Sequence, residues 1–277
     1  MKYVPRKPRE GINYSHVDPR KEALVLVGGV GLVAVLVVVV IGFSIDLLVG
    51  WIPASWEAQL FDGFATRVGS GLSVKPTSRS EKLQNLMDRL AAHWPENPYS
   101  FRIVIMEDDR PNAMAIPGGA ILVTTGLLEG IRSENELAFV LGHEIGHFKN
   151  RDPLNGLGRQ LATALLMAVV TGSAGGGADL LGLTGRITAR NFGRNQELAA
   201  DRAGLEIVYR EYGHVASASD FFAQLPNDPE FAQRFQGYFA THPVTKNRIS
   251  ALERLAHEQS WPSEGTLRSF DAEQEAR

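Results

Sequence analysis

The chain has 277 residues, of which 44% are hydrophobic and 21% charged, a composition typical of one globular domain with an accessory segment. The formal net charge of -3, without a cluster of Lys and Arg in the main part of the chain, argues against a nucleic-acid-binding protein. No cysteine is present, which excludes disulfides and thiolate metal sites, so any metal must be held by His and carboxylate side chains.

A basic N-terminal tail precedes a long apolar segment. Residues 1–22 contain six Lys and Arg, and their prolines, Pro19 included, are expected to discourage a regular element. The 21 residues 23–43 carry no charge, and as a helix they would reach roughly 31 Å and match a bilayer core. A cleaved signal peptide or a buried core helix fits less well, because the segment is long and no Ala-x-Ala site follows it. The segment predicts one transmembrane helix, with a cytoplasmic tail and a catalytic domain on the periplasmic side of the inner membrane.

The segments after the apolar run predict a mixed fold. Residues 44–79 carry aromatic side chains among polar ones, which indicates either an interfacial juxtamembrane stem or an ordinary first helix of the domain. Helical spacing of apolar residues predicts a helix over 80–92 that begins at a Ser cap, and residues 101–106 predict a short strand. Two apolar runs within 112–126 are separated by Pro-Gly-Gly at 117–119, which predicts a hairpin or a sharply broken strand.

A second helix carries the reactive residues. Ser133 and Glu136 form a capping box that predicts a helix to about Asn150. On this helix His143 and His147 are four residues apart, so both rings project from one face and can bind one ion.

The residue between the two histidines suggests hydrolysis. Glu144 follows the first ligand directly, where it can reach a water bound to the ion and act as a general base. Zinc acidifies such a water and polarises a carbonyl, which predicts peptide-bond hydrolysis. The same five-residue pattern also arises by chance, so the rest of the chain has to support it.

A zinc site with three protein ligands needs one more donor, and Glu197 is the candidate. Glu197 and Asp201 share one face of a predicted helix. One carboxylate can bind the metal while the other accepts a proton from a ligating imidazole. A solvated acidic helix face is the alternative for this pair when it is considered alone.

These motifs resemble the M48 family of zinc metallopeptidases, which includes the CAAX prenyl protease and bacterial membrane quality-control proteases. The resemblance covers about residues 80–255 and rests on four matches in the family's order. They are Asn112-Ala113-Met114-Ala115-Ile116-Pro117-Gly118-Gly119 with Thr124 to Leu128, His143 to His147, Glu197 to Asp201, and Thr241-His242-Pro243 with Arg248.

The resemblance implies roles for further residues. Glu197 would be the third zinc ligand and Asp201 would support the site from behind the ligands. His242 and Arg248 would lie near the metal, where they could stabilise the oxyanion or, for His242, cap the zinc in a resting state. The stretch from Asn112 to Ala115 (Asn112, Ala113, Met114 and Ala115) would be an edge strand to which an extended substrate adds.

A second apolar region, Leu161 to Leu183, is interrupted by three glycines and an Asp. We interpret it as a segment that faces the membrane or covers the groove, with a second span as the alternative. Compared with the prenyl protease type we expect fewer spans, and we expect the residues after Arg248 to form a polar tail that leaves no obvious room for a helical-repeat domain.

The sequence therefore predicts an α+β, mainly α, zincin-like metalloprotease domain with a small edge-strand sheet, behind one N-terminal transmembrane helix. The predicted parts are a cytoplasmic tail (1–22), the helix (23–43), a stem (44–79), the M48-like domain (80–258) and a polar C-terminal tail (259–277). The predicted cofactor is one Zn²⁺, and the predicted partners are a polypeptide substrate and, through the helix, the membrane, with no nucleic acid. The alternatives are a zinc-binding chaperone or adaptor that holds polypeptides without cleavage, and a membrane-anchored structural protein with chance motifs.

Overall fold

The computed structural model describes residues 18–72, 78–171, 192–218, 235–243 and 245–270. Within them the chain is mainly helical, with one small sheet. The elements in chain order are α1 (Pro19–Trp51), α2 (Ala54–Leu72), α3 (Ser78–Ala92), β1 (Arg102–Met106), β2 (Ala113–Ile116), β3 (Ala120–Thr124), α4 (Thr125–Gly130), α5 (Glu134–Lys149), α6 (Asp152–Thr171), α7 (Arg194–Tyr212), α8 (Gln236–Thr241) and α9 (Lys246–Glu258).

Among the described residues the sheet has three strands in the order β1-β3-β2, which places β2 at an edge. β1 runs parallel to β3, and β2 runs antiparallel to β3 with Ala113 opposite Val123. The turn between β2 and β3 contains Gly118 (φ +94°) and Gly119 (φ +92°), a backbone conformation that glycine adopts without steric penalty. The predicted hairpin is therefore confirmed, and the predicted edge strand is at an edge of the sheet.

α1 is longer than the predicted apolar helix. It starts at Pro19, inside the predicted tail, with the Asp18 side chain accepting a hydrogen bond from the backbone N–H of Arg20. The expectation that Pro19 discourages a regular element was wrong, because proline at the first helical position gives up an N–H that has no helical partner anyway. Residues 1–17 of the predicted tail lie outside the described residues. Among the helices of the described segments, none combines the length and apolar character required of a membrane span.

The described residues of the predicted stem, 44–72 and 78–79, are mainly helical, and residues 73–77 lie outside the described residues. α1 continues to Trp51 and α2 follows after a two-residue turn. Trp51 is 80% exposed and Trp56 is 61% exposed, whereas Val49 and Glu57 are buried against the domain. The interfacial stem and the first helix of the domain both stay predictions. α3 begins at Ser78, two residues before the predicted Ser cap.

The core is centred on α5, whose residues are buried around nearly the whole circumference. α5 packs mainly against α7, and also against α3 and β2. The second apolar region begins within α6, and its residues 172–183 lie outside the described residues. The C-terminal segment packs on the domain as far as residue 270, since Arg268 O accepts a hydrogen bond from Glu134 N at 2.7 Å. Residues 271–277 of the predicted polar tail are not among the described ones.

Candidate metal centre

α5 is capped where the sequence predicts. Ser133 Oγ accepts a hydrogen bond from Glu136 N at 3.1 Å, as expected for an N-cap residue. The Glu136 carboxylate, however, accepts from Arg132 N at 2.8 Å rather than from Ser133 N. The cap is therefore one residue wider than a regular capping box, and it fixes the start of the helix that carries the two histidines.

The backbones of α5 and α7 are in direct contact. A Cβ atom at Gly146 would lie 2.6 Å from Cα of Ala200, and one at Gly142 would lie 3.0 Å from Cα of Gly204. Each helix thus has two small residues four positions apart, which is one helical turn, facing the other helix. This contact brings the carboxylates near the start of α7 to the histidines near the end of α5. The matching spacing of small residues on the two helices was the signal in the sequence that could have predicted their pairing.

Four side chains from three parts of the chain converge at the crossing. His143, His147, Glu197 and His242 each offer one ligand atom, and these atoms lie within 4.8 Å of one another in a fully buried cluster. His143 Nε2 is 3.1 Å from His147 Nε2 and 3.2 Å from His242 Nδ1. Glu197 Oε1 is 3.1 Å from His242 Nδ1 and 3.5 Å from His147 Nε2.

These separations match the donor set of a small tetrahedral cation. With bonds of roughly 2.0–2.1 Å to zinc, neighbouring donors in a tetrahedron lie about 3.3 Å apart. The donor types also fit, because imidazole and carboxylate are the zinc ligands available to a chain without cysteine.

In both helical histidines the Nδ1 atom is hydrogen-bonded to a carboxylate, so the Nε2 atom is the one that can bind a cation. His143 Nδ1 lies 2.9 Å from Asp201 Oδ1, and His147 Nδ1 lies 2.9 Å from Asp152 Oδ2. Each carboxylate accepts a hydrogen bond from the Nδ1–H of its imidazole, which leaves the Nε2 lone pairs facing each other. Burial lowers the pKa of both His143 and His147, partly offset by these carboxylates, so the neutral rings are favoured.

Two acidic groups remain ionised beside the histidines. Burial alone would raise the pKa of Glu197, but its hydrogen bond to His242 and the positive charges of His242 and Arg248 outweigh this effect and lower the pKa to about 2. For Asp201, burial is likewise outweighed by hydrogen bonds to Arg248 and His143, which hold its pKa at about 2. Both carboxylates therefore carry a negative charge at neutral pH, as a metal-binding centre requires.

The guanidinium of Arg248 lies against these two carboxylates. Its Nε and Nη2 bond the two Asp201 oxygens at 2.7 and 2.6 Å, and Nη1 lies 2.7 Å from Glu197 Oε2. Nη1 also donates to the carbonyl oxygens of His242 and Pro243. Only 3% of the Arg248 side chain is exposed, and its hydrogen bonds hold Asp201, Glu197 and the backbone at His242 in place.

His242 enters the cluster from the turn after α8. Its ring stacks on Tyr238, with centroids 4.7 Å apart, and on Phe192 at 5.4 Å. Burial would lower the pKa of His242, but the negative charges of Glu144 and Glu197 outweigh it and raise the pKa. His242 is thus wedged between two aromatic rings, with one nitrogen facing the other donors and the other nitrogen 3.6 Å from Glu144 Oε1.

Glu144 is fully buried beside the cluster. Neither of its carboxylate oxygens has a hydrogen-bond partner of regular geometry among the described residues. Burial raises its pKa, and the charge of His242 reduces that shift only in part. The backbone amide of Ala115 on β2 also acts on this carboxylate. A carboxylate with few fixed partners and a raised pKa is suited to exchange protons near neutral pH.

The structure brings together seven of the predicted residues: His143, Glu144, His147, Glu197, Asp201, His242 and Arg248. The predicted substrate strand lies next to them, since β2 packs on α5 and Asn112 Oδ1 accepts a hydrogen bond from Thr241 Oγ1 at 3.3 Å.

Three further residues of the site were not predicted: Asp152, Phe192 and Tyr238. Asp152 comes five residues after His147, and the rigid Asp-Pro start of α6 was the available signal for it. Phe192 stacks on the His147 ring at 3.9 Å, and nothing near it in the sequence pointed to that contact.

Comparison with known proteins agrees with this geometry. The model of peptidase family M48 matches residues 77–256, well over half of the chain. A Vibrio cholerae serotype O1 protein, named a putative beta-barrel assembly-enhancing protease, is 29% identical over 190 residues, which cover 65% of this chain and 39% of that protein. A Salinibacter ruber protein, named a protease HtpX homolog, is 29% identical over 217 residues, which cover 66% of this chain and 78% of that protein.

Proposed function

The chain belongs to peptidase family M48 and is a metallopeptidase, and we propose that it is a zinc-dependent endopeptidase with His143, His147 and Glu197 as the metal ligands. The observation that carries the proposal is the convergence of buried imidazole and carboxylate donors at tetrahedral spacing. Asp201 and Asp152 would orient the two imidazoles, and Arg248 would hold both Asp201 and Glu197.

Glu144 is proposed as the general base. Bound zinc would supply a Lewis acid that polarises the scissile carbonyl and acidifies the nucleophilic water. Glu144 would take the proton from that water and then deliver it to the leaving amine. The raised pKa of Glu144 supports this role, because the group must both accept and release a proton during one turnover.

His242 is proposed to close the site in a resting state. Its Nδ1 atom lies 3.2 Å from His143 Nε2, which is the separation expected of a fourth donor in a tetrahedral site. A catalytic zinc site keeps its fourth position for water and substrate. The ring would therefore have to move aside before turnover, and we expect substrate to reach the metal more readily in His242→Ala.

The substrates are proposed to be polypeptides in an extended conformation. β2 is an edge strand next to Glu144. An extended substrate peptide could pair with the backbone of residues Asn112 to Ala115. The name of the Vibrio protein refers to beta-barrel assembly, which favours membrane-associated or misfolded extracytoplasmic proteins as the substrate class.

We also propose that residues 23–43 anchor the enzyme in the inner membrane, with its catalytic domain in the periplasm. The 21 uncharged residues and the exposure of large side chains such as Leu24 and Leu36 on α1 support this proposal. Because the chain has no cysteine, Ser263→Cys creates a single label site on an exposed residue. A membrane-impermeant maleimide should label it in intact spheroplasts, and labelling only after lysis would refute this orientation.

The experiment that tests the function is cleavage of casein by the full chain in detergent, beside Glu144→Gln, with bound zinc quantified in every sample. Glu206→Gln is the matched control, because Glu206 pairs with Arg210 on the exposed side of α7. The wild type and the control should cut casein, while Glu144→Gln should keep its zinc and lose at least about 100-fold in rate. If all three bind zinc and none cuts, even with His242→Ala added, a holding function in the same groove replaces the protease proposal.

A further inference from the structure

The turn between α5 and α6 has an unusual backbone. Arg151 adopts φ +58°, one of only three non-glycine residues with positive φ in the described segments. It directly follows the C-cap residue of α5, a position at which glycine is the usual residue because it has no Cβ. An arginine at this position suggests that its side chain has a role that glycine cannot fill.

The guanidinium of Arg151 reaches the junction between α1 and α2, which we call the elbow (residues 49–57). Its Nη1 donates to the carbonyl oxygen of Val49 at 2.6 Å and to that of Ile52, both at the C-terminal end of α1. Its Nε donates to Glu57 Oε2 at 3.1 Å in the first turn of α2. A cation at a helix C-terminus is favoured by the exposed carbonyl groups and the helix dipole.

The acidic partner in the elbow is held from a second side. Glu57 is completely buried, and its Oε2 also accepts a hydrogen bond from Tyr99 OH at 2.9 Å. The Tyr99 ring contacts Phe148 of α5, with centroids 5.0 Å apart. Glu57 is buried and Arg151 is largely buried, so removing one partner of this ion pair leaves the other charge unpaired and destabilises the protein. The elbow and the end of α5 are therefore joined by directional interactions that are mostly shielded from solvent.

The residue next to Arg151 holds a metal-binding histidine. Asp152 Oδ2 lies 2.9 Å from His147 Nδ1, and Asp152 Oδ1 accepts a hydrogen bond from the Gln196 side chain. Adjacent residues of one short turn thus contact the elbow and the metal centre. Since the backbone between them is a single peptide unit, a shift of Arg151 also shifts Asp152.

We infer that Arg151 is a positioning residue that ties the placement of Asp152, and through it the orientation of His147, to the elbow between α1 and α2. The position of the elbow would then influence how tightly the site holds its metal. This inference rests on the proposed metal centre, but it concerns the side chain of Arg151, whose hydrogen bonds go to the elbow and not to the metal donors.

The test is zinc affinity of the full chain in detergent, measured by competition with a chromogenic chelator. Arg151→Gly suits the observed backbone but leaves Glu57 buried without its cationic partner, so the unfolding of this variant is measured beside that of the wild type to establish that it is folded. Asp152→Asn is the reference, because losing a direct outer partner of a ligand weakens metal binding about 10–100-fold. For Arg151→Gly we expect roughly a threefold to tenfold loss, a fraction of that range because Arg151 acts through Asp152.

A matched control separates this effect from simple loosening of the stem. Arg102 also ties α2 to the domain, since it donates to Thr66 Oγ1 at 2.8 Å and pairs with Asp62. Arg102→Gln should therefore loosen α2 but leave zinc affinity at the wild-type value. Arg151→Lys should recover part of the affinity that Arg151→Gly loses, because it restores the charge without the fork.

Two further readouts decide between outcomes. The double variant Arg151→Gly/Asp152→Asn should bind zinc no more weakly than Asp152→Asn alone, because both act on His147 through one path. In cobalt-substituted protein, Arg151→Gly should change the visible absorption bands that report ligand geometry, and Arg102→Gln should not. Wild-type affinity and an unchanged cobalt spectrum in Arg151→Gly, with Asp152→Asn weakened, would overturn the inference and leave the metal centre standing. No zinc binding by the wild type would instead refute the proposed centre.

Discussion

The substitution Gly146→Ala probes the contact that assembles the site. The added Cβ would lie 2.6 Å from Cα and 2.8 Å from the carbonyl oxygen of Ala200, whereas non-bonded carbon atoms settle roughly 3.5–4.0 Å apart. Both groups are helix backbone, so no side chain can rotate away, and α5 and α7 would have to separate by about 1 Å. Overpacking of this kind costs about 1–3 kcal/mol.

The predicted consequence has two parts. A loss of about 1–3 kcal/mol lowers the melting temperature by roughly 2–12 °C for a chain of this size, measured by differential scanning fluorimetry or circular dichroism. Zinc affinity should fall as well, because Glu197 moves away from the histidines of α5.

Gly63→Ala in α2 is the control, since nothing lies within 4 Å of its added Cβ. A helix-interior Gly→Ala change in open space stabilises by roughly 0.5–1 kcal/mol. If Gly146→Ala behaved like Gly63→Ala and bound zinc as tightly as the wild type, the close crossing of the two helices would be refuted.

Stability measurements test three other features of the fold. Gly118→Ala should destabilise the protein by about 2 kcal/mol in urea unfolding, because φ is +94° and the new Cβ would lie 2.5 Å from Phe61 O. Burial would raise the pKa of Glu211, but the hydrogen bonds of Glu211 to His93 and Arg89 outweigh burial and lower this pKa. The ionised Glu211 side chain therefore stabilises the protein above pH 4.5, and this contribution is lost as the pH falls below that value. The substitution Glu211→Gln should lower the free energy of unfolding by about 1 kcal/mol at pH 7 and should have no effect in acid. Removal of zinc by a chelator should lower the free energy of unfolding by about 2.7 kcal/mol relative to protein with free zinc at 100 times its dissociation constant.

Short-range signals in the sequence predicted much of the fold. The Ser133 cap fixed the start of α5, and the glycines at 118 and 119 fixed the hairpin, because both features depend on the backbone of a few neighbouring residues. The pair His143 and His147 was equally local, since four residues make about one helical turn. Such features are determined before the chain packs, and a single sequence is enough to identify them.

The remainder of the site depends on contacts between distant segments. Asp152 became part of it only because the turn after α5 folds back onto His147, and Tyr238 only because its helix packs on the cluster. Pro19 was expected to discourage a regular element but starts a helix, because proline is compatible with the first turn of a helix and incompatible with later turns. The positions of Asp152 and Tyr238 and the start of α1 at Pro19 thus depend on how the tertiary structure packs, which the local sequence does not determine.

Equilibrium zinc binding by Glu197→Ala, beside the wild type and Glu206→Ala, is the sharpest test of the proposed metal centre. Both residues lie on α7, but Glu197 is buried among the histidines and Glu206 pairs with Arg210 on the exposed side. We predict that Glu206→Ala binds one zinc as the wild type does. Glu197→Ala should lose more affinity than the roughly 100-fold that removal of an outer partner causes at most. Wild-type affinity in Glu197→Ala would show that the metal, if bound, is held elsewhere, and would contradict the proposed centre.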